Sequence, residues 1–156
     1  MHLNPDHFLE TPSGRQLTPE RNAWAWEQCY AALPVALKTA AASGGKLYVM
    51  IGAQASGKST WARGRKLIEP NCVIFDAILV RKSERAPILK LARQHDVPAI
   101  AVEIQTPLEV CIARNSRRPR DEMVHEQALR NVMSAIEPPT EQEGFASILV
   151  LHYSAA

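Results

Sequence analysis

The stretch YVMIGAQASGKSTWARG, residues 48–64, decides the fold of this chain. It begins with an apolar run typical of a buried strand, continues through small residues, and enters a pattern that predicts a helix. Gly52 is followed, after four residues, by Gly57, Lys58 and Ser59, which is the complete spacing of a phosphate-binding loop. Because the motif lies between a strand and a helix, as its geometry requires, we interpret it as a nucleotide site.

Each part of this loop has an expected role in holding a nucleotide. Its glycines let the backbone approach phosphate oxygens, and its N–H groups point inward with a helix N-terminus behind them. Lys58 is expected to bridge the β- and γ-phosphates as a catalytic residue, and Ser59 to ligate Mg²⁺. The predicted nucleotide-binding set is Gly52, Ala53, Gln54, Ala55, Ser56, Gly57, Lys58, Ser59 and Thr60. The sequence lacks the guanine-reading Asn-Lys-x-Asp pattern, so ATP is favoured over GTP.

Composition and length indicate one globular domain. The 156 residues are 46% hydrophobic and 22% charged, which is typical of a chain that buries a core. The three cysteines are widely separated in apolar segments, which favours packed thiols over a zinc site or a disulfide framework. We find neither a signal-peptide pattern nor an apolar stretch long enough to cross a bilayer. We therefore expect a cytoplasmic protein with no membrane partner; the pattern does not indicate its oligomeric state.

The order of predicted elements indicates an α/β fold with an N-terminal extension. Residues 1–17 lack hydrophobic periodicity and are predicted to be a loosely ordered arm. The helix that follows is expected to kink or split at Pro34, and residues 1–45 are assigned to the arm and this helical extension. Residues 46–156 alternate strands with helices. We predict for them a three-layer P-loop NTPase domain, kinase-like, with a mostly parallel sheet of four or five strands.

Asp76 is the next candidate site residue. It ends a second buried strand, at the carboxyl edge of the sheet where ligands of open α/β sheets collect. A carboxylate there is able to hold Mg²⁺ or to take the proton from an acceptor hydroxyl. We predict Asp76 as a catalytic residue and, with Ser59, as a metal residue; the plainer alternative is a loop cap.

An arginine-rich turn, RNSRRPR at residues 114–120, follows a helix that Thr106 is predicted to cap. Arg114 and Arg118 are four positions apart and so share one helical face. Two guanidinium groups on one face suit the charge that develops on a transferring phosphoryl group. We predict both as catalytic residues, with a solvated basic turn as the alternative.

Positive charge is concentrated between residues 58 and 120. This segment holds thirteen of the eighteen Lys and Arg residues but six of the sixteen Asp and Glu residues. Within it, Arg81, Lys82 and Arg85 follow the second strand and have no obvious role toward ATP. We expect them to form a phosphate-binding face, which would suit a nucleic-acid acceptor. The five histidines show no metal-ligand spacing and are predicted to be surface or core residues.

From residue 48 to its last strand the chain resembles the small P-loop kinases of the polynucleotide 5′-hydroxyl kinase group and their zeta-toxin-like relatives. The resemblance lies in GKSTWAR at 57–63, FDAILVRKSER at 75–85 and TPLEVCIARNSRR at 106–118. It implies Mg²⁺-dependent transfer of the γ-phosphate of ATP to a hydroxyl, with Arg114 and Arg118 clasping the ATP phosphates.

The chain departs from that group in one respect. Members usually carry two strands ending in aspartate, one for the acceptor and one beside the metal, whereas this sequence has room for one, at Asp76. The first hypothesis is an ATP- and Mg²⁺-dependent kinase of polynucleotide 5′-hydroxyl type. The alternatives are a zeta-toxin-like kinase of a small molecule or sugar nucleotide, and a non-catalytic ATP-binding module. The acceptor, nucleic acid or a small-molecule hydroxyl, stays open.

Overall fold

Five parallel strands form the central sheet. The computed structural model describes residues 1–153. The strands are β1 (His2–Leu3), β2 (Glu10–Thr11), β3 (Gly14–Arg15), β4 (Leu47–Ile51), β5 (Val73–Phe75), β6 (Ala99–Gln105) and β7 (Ser147–His152). The sheet has the order β1-β5-β4-β6-β7 with every neighbouring pair parallel, while β2 and β3 form a separate antiparallel hairpin. The predicted parallel sheet of four or five strands is confirmed.

Helices cover both faces of this sheet. They are α1 (Pro19–Ala42), α2 (Lys58–Ile68), α3 (Lys82–Gln94), α4 (Leu108–Ser116) and α5 (Glu126–Ala135), with short 3₁₀ helices at Pro5–Phe8 and Glu141–Glu143. Within residues 1–153, no helix has both the length and the apolar character needed to span a membrane.

Strand β4 shows how the layers are arranged, because it is buried along its whole length. Leu47, Val49 and Ile51 belong to the core cluster that includes α1 and α3, whereas Tyr48 and Met50 pack with α2 on the opposite face. This alternation follows from the two-residue period of a strand, and it explains why β4 reads as a continuous apolar run. The predicted three-layer α/β fold of P-loop NTPase type is confirmed.

The first seventeen residues are ordered, so the prediction of a loosely ordered arm is wrong. His2–Leu3 pair in parallel with Ile74–Phe75, and the Asp76 N–H donates to the Leu3 carbonyl over 2.8 Å. A two-residue strand has no measurable hydrophobic period, and its pairing partner is far away in sequence, so local patterns do not reveal it. The division of the chain at residue 45 stays a prediction; residues 1–45 supply both an edge strand and a helix of the core.

Helix α1 is continuous, so the predicted split at Pro34 does not occur. Proline removes a helical N–H donor, a local cost that tertiary packing can offset. Leu33 and Leu37, on either side of it, are fully buried in the core. The helix begins at Pro19, with the Thr18 hydroxyl accepting from the Arg21 N–H over 3.1 Å as its N-cap.

Candidate nucleotide and metal site

The loop, residues 52–60, consists of the connection from β4 to α2 (residues 52–57) and the first residues of α2, at the carboxyl edge of the sheet. Ala55 and Gly57 have positive φ angles of 61° and 111°, whereas Ser56 between them does not. Such alternation between left-handed and right-handed backbone conformations turns successive N–H groups toward one point and forms an anion-binding concavity. A Cβ on Gly52 would lie 2.8 Å from the Ser56 hydroxyl oxygen and 3.2 Å from the Ile104 carbonyl, so glycine is needed for this close approach.

Lys58 is buried at the first position of α2. Its Nζ donates to the carbonyls of Gly52 and Ala53, each over 2.9 Å. Burial lowers the pKa of Lys58 to about 8; the Asp76 carboxylate opposes this shift, and Arg118 adds to it. A buried ammonium group gains from a nearby anion, which is what a nucleotide phosphate would supply.

Ser59 and Asp76 are in direct contact. The Ser59 hydroxyl donates to Asp76 Oδ2 over 2.7 Å, and the same oxygen lies 2.9 Å from His2 Nε2 and 3.2 Å from Asn4 Nδ2. Burial alone would raise the pKa of Asp76, but the His2 hydrogen bond, the Lys58 charge and the Ser59 hydrogen bond together lower it. These three interactions favour the ionised form of the Asp76 carboxylate.

This pair fits Mg²⁺. Magnesium usually keeps several waters and is held through one or two carboxylates together with substrate phosphates. A serine hydroxyl and a carboxylate beside a phosphate-binding loop supply the protein's share of such a shell. Among residues 1–153, no cluster of three or more His, Cys, Asp or Glu side chains could hold a metal ion.

The predicted arginines lie across the loop from Asp76. Arg114, on α4, donates from Nη1 to the carbonyls of Ala55 (3.4 Å) and Ser56 (3.3 Å), and its guanidinium group lies 5.6 Å from the centre of the Tyr153 ring. Arg118, just beyond α4, lines the same cleft. The structure thus places both predicted arginines at the loop.

Two polar residues that the sequence did not assign to the site support it. Thr106 was expected to cap a helix, but Pro107 holds the cap position of α4, and the Thr106 hydroxyl donates to the Ser56 carbonyl over 2.7 Å. It therefore ties the loop to the end of β6. Asn115 exchanges hydrogen bonds of 2.8 and 3.0 Å with the Val124 backbone and so holds the lid segment, residues 114–124.

An open cleft of about 1090 Å³ lies beside the loop. Its walls are the loop, the lid segment, and several residues of the N-terminal segment between Asn4 and Leu17. Ligand sites usually measure roughly 300–1,000 Å³, so the cleft has room for a nucleotide and part of a second ligand.

The N-terminal segment supplies site residues that sequence reasoning missed. Two histidines that were predicted to be surface or core residues lie at this cleft: His2 contacts Asp76, and the His7 ring packs edge-on against His2 with centroids 4.9 Å apart. Asn4 is buried and also lies 3.4 Å from the Ser59 hydroxyl. No motif marks these residues; their position follows from the pairing of β1 with β5.

The basic residues after Asp76 do not form the expected phosphate-binding face. Arg85 is fully buried and pairs with Glu143 over 2.8 and 3.1 Å, so its predicted exposure is wrong. Within residues 1–153, the lining of the cleft includes none of Arg81, Lys82 and Arg85. Of the three predicted residues, Arg81 and Lys82 thus remain exposed, outside the cleft lining, and Arg85 is not available to a phosphate.

We expect Asn4 to position the metal pair. Replacing Asn4 with Ala removes the donor to Asp76 and should weaken ATP binding by about tenfold in Mg²⁺. In EDTA the two proteins should bind ATP equally, because the Asn4 amide nitrogen donates to the side chains of the metal pair, Ser59 and Asp76. Isothermal titration under both conditions measures this, with Asn22→Ala as the control on the same cleft wall. An equal loss with and without Mg²⁺ would contradict a role at the metal pair.

Two of three comparisons with known proteins found a match to this chain. Residues 65–139, slightly less than half of the chain, match the model of a family described as an AAA domain. No curated protein matches the chain. Among solved structures, the chain is similar to Kti12 of Chaetomium thermophilum in complex with ADP-AlF3, with 18% identity and a TM-score of 0.48 over 81% of this chain and 82% of that one. The sheet order, the helix layers and the loop make the chain a protein of P-loop NTPase-like fold, part of which matches the AAA domain model.

Proposed function

We propose that this protein binds ATP with Mg²⁺ in the cleft and transfers the γ-phosphate to a hydroxyl group. The observation that carries the proposal is the contact between Ser59 and Asp76, 2.7 Å apart beside the buried Lys58. A phosphate cradle, a cation and a metal-binding pair therefore meet at one end of one loop. Phosphoryl transfer needs these three elements, because its catalysis depends mainly on positioning and charge stabilisation.

The residues divide the work as follows. Residues 52–60 hold the phosphates, and Lys58 exchanges its carbonyl partners for β- and γ-phosphate oxygens. Arg114 and Arg118 approach from the lid segment and stabilise the transferred phosphoryl group. Ser59 and Asp76 hold Mg²⁺, which when bound neutralises charge on the β- and γ-phosphates.

Sheet order supports the metal role of Asp76. Strand β5, which Asp76 follows, lies directly beside the loop strand β4, and β1 takes the outer position. In the kinases that this chain resembles, a second aspartate-ended strand serves the acceptor. Here β1 is followed by Asn4, whose amide does not act as a base. Proton removal by a strand-end carboxylate is therefore not part of the proposal.

Two classes of acceptor are compatible with the proposed transfer, and a non-catalytic module is the alternative to it. A polynucleotide 5′-hydroxyl and a small-molecule or sugar-nucleotide hydroxyl both suit the transfer chemistry. A non-catalytic ATP-binding module is the second candidate, and the amide of Asn4 after the outer strand is the observation that favours it. Titration with Mg·ATP combined with a γ-labelled transfer assay separates a kinase from a module, since a module binds ATP without passing its label to any hydroxyl.

Replacing Asp76 with Asn tests the metal assignment directly. The change keeps the shape of the side chain and removes its charge, so a metal role predicts weaker Mg²⁺-dependent ATP binding by about tenfold or more, together with slower transfer. Asp96→Asn, in the turn before β6, is the matched control. If Asp76→Asn slows transfer while the Mg²⁺ dependence of ATP binding stays that of the wild type, Asp76 acts as the base instead.

A further inference from the structure

One end of the cleft lies beyond the groups that ATP requires. Ser59 and Asp76 mark the end of the loop where the γ-phosphate lies in the proposed function. Asn4 contacts both side chains, at 3.4 and 3.2 Å, so the residues that follow Asn4 stand on the side from which a hydroxyl reaches the γ-phosphorus. We call this end the acceptor pocket; it is lined by Asn4, Pro5, Asp6, His7, Leu9, Arg15, Trp26 and residues 121–124.

The acceptor pocket is bounded by a contact between distant parts of the chain. The Arg15 N–H, in the hairpin of β2 and β3, donates to Asp121 Oδ2 of the lid segment over 2.7 Å. A Cβ on the neighbouring Gly14 would lie 2.8 Å from the same carboxylate oxygen, which shows how closely the two segments approach. The hairpin and the lid segment thus meet across the pocket, a shape that suits a small ligand better than a continuous strand.

The charge of the acceptor pocket is negative. Asp6, Asp121 and Glu122 line it, and within residues 4–17 the single lining cation is Arg15. The Arg15 guanidinium group already lies near three carboxylates: Glu10 at 2.9 Å, Asp6 at 3.4 Å and Glu122 at 3.8 Å. The other Lys and Arg side chains that line the cleft, among residues 1–153, are Lys58, Arg63, Arg114 and Arg118, which belong to the loop helix and the lid segment. A phosphate on the acceptor would therefore meet Asp6, Asp121 and Glu122, and the cation among them, Arg15, is already paired with carboxylates.

We propose that the acceptor is a small hydroxyl compound that carries no phosphate and is either neutral or bears an amine. This inference rests on the proposed function and names the substrate class of the same site. Trp26, which packs on Tyr30 and Phe75, adds apolar surface to the pocket wall. In the reaction, the acceptor oxygen bonds to the γ-phosphorus as the bond between that phosphorus and ADP breaks. The hydroxyl proton passes to solvent, and ADP leaves.

Acceptors matched in shape but not in charge test this class. One set is glucosamine, glucose and glucose 1-phosphate, and the other is adenosine and adenosine 3′-monophosphate, which share the free 5′-hydroxyl. With γ-labelled ATP and Mg²⁺, we expect label in phosphate-free members of at least one set, at a rate at least about tenfold above the phosphate-bearing member. The double variant Asp6→Asn, Glu122→Gln should narrow that ratio, whereas Glu27→Gln, on an exposed part of α1, should leave it unchanged.

Each remaining outcome is decisive. Equal or greater labelling of the phosphate-bearing members, or an unchanged ratio in the double variant, would overturn the inference. If Mg·ATP binds but no member of either set accepts label, the acceptor pocket is not a subsite for such compounds and the inference is wrong, while nucleotide binding stands. If Mg·ATP does not bind at all, the proposed function itself fails.

Discussion

Replacing Lys58 with Ala is expected to reduce Mg·ATP affinity and γ-phosphate transfer by about 100-fold or more. The wild-type ammonium group is held inside the loop by hydrogen bonds to the carbonyls of Gly52 and Ala53. Alanine therefore removes the cation from this point of the loop. A charged hydrogen bond to phosphate in a buried setting contributes several kcal/mol, which accounts for a loss of this size. Isothermal titration gives the affinity, and release of label from γ-labelled ATP gives the transfer rate.

A second substitution at Lys58, to Met, tests its effect on stability apart from its effect on function. Because burial lowers the pKa of Lys58 from its ordinary value of 10.5 to about 8, the folded protein without nucleotide favours the neutral amine more than the unfolded chain does. Stability should therefore rise with pH from about 8 to about 10.5, where the unfolded chain binds more protons. Lys58→Met should keep or raise the wild-type Tm at pH 7 and flatten this rise. Lys90→Met, on an exposed face of α3, is the control for the stability measurement. In the binding measurement, wild-type ATP affinity in Lys58→Ala would show that the loop assignment is wrong.

Replacing Glu143 with Ala is expected to lower the free energy of unfolding by about 3–5 kcal/mol. Arg85 is fully buried, and its guanidinium group depends on Glu143, with donor distances of 2.8 and 3.1 Å to the two carboxylate oxygens. Arg85 also donates to the Leu79 carbonyl over 3.2 Å, so the pair anchors the segment between β5 and α3. Removing one partner leaves a buried charge without compensation. Denaturant unfolding measures the loss.

The pH dependence of stability provides a second test of the Arg85–Glu143 ion pair. Burial alone would raise the pKa of Glu143, but the Arg85 hydrogen bond and the Thr140 backbone N–H lower it below its ordinary value of 4.5. The stabilisation is therefore complete above pH 4.5 and is lost as the pH falls through the lower folded-state pKa. Glu143→Ala should weaken this acid sensitivity, and Glu141→Ala, exposed in the same 3₁₀ helix, should not. A loss below about 1 kcal/mol in Glu143→Ala would show that the pair contributes little.

Arg85 shows where local sequence stops being informative. Arg81, Lys82 and Arg85 look alike in the sequence, as cations at the start of a helix, yet Arg85 is buried. What distinguishes it is Glu143, which lies 58 positions later in the chain. A pairing of this kind depends on how α3 and the last loop pack together, and no window of neighbouring residues contains that information.

The sequence by itself determined the loop, the buried strands and the alternation of strands with helices. These features depend on local physics: glycine at positions of close approach or positive φ, apolar runs in strands covered on both faces, and a helix that starts at a lysine. For the same reason spacing alone could predict the residues of the loop, Asp76 and the two arginines of the lid segment as site residues. The structure brings residues 54–60, Asp76, Arg114 and Arg118 to one cleft.

Only the tertiary structure decided what stands opposite the loop. Strand β1 has two residues, too few for any periodic signal, and it exists because β5 leaves an edge on which backbone N–H and C=O groups need partners. That pairing carries His2 and Asn4 to Asp76 and makes the following residues the acidic wall of the acceptor pocket. The contacts of Asp76 with His2 and Asn4 thus follow from long-range backbone pairing, which the order of residues along the chain does not display.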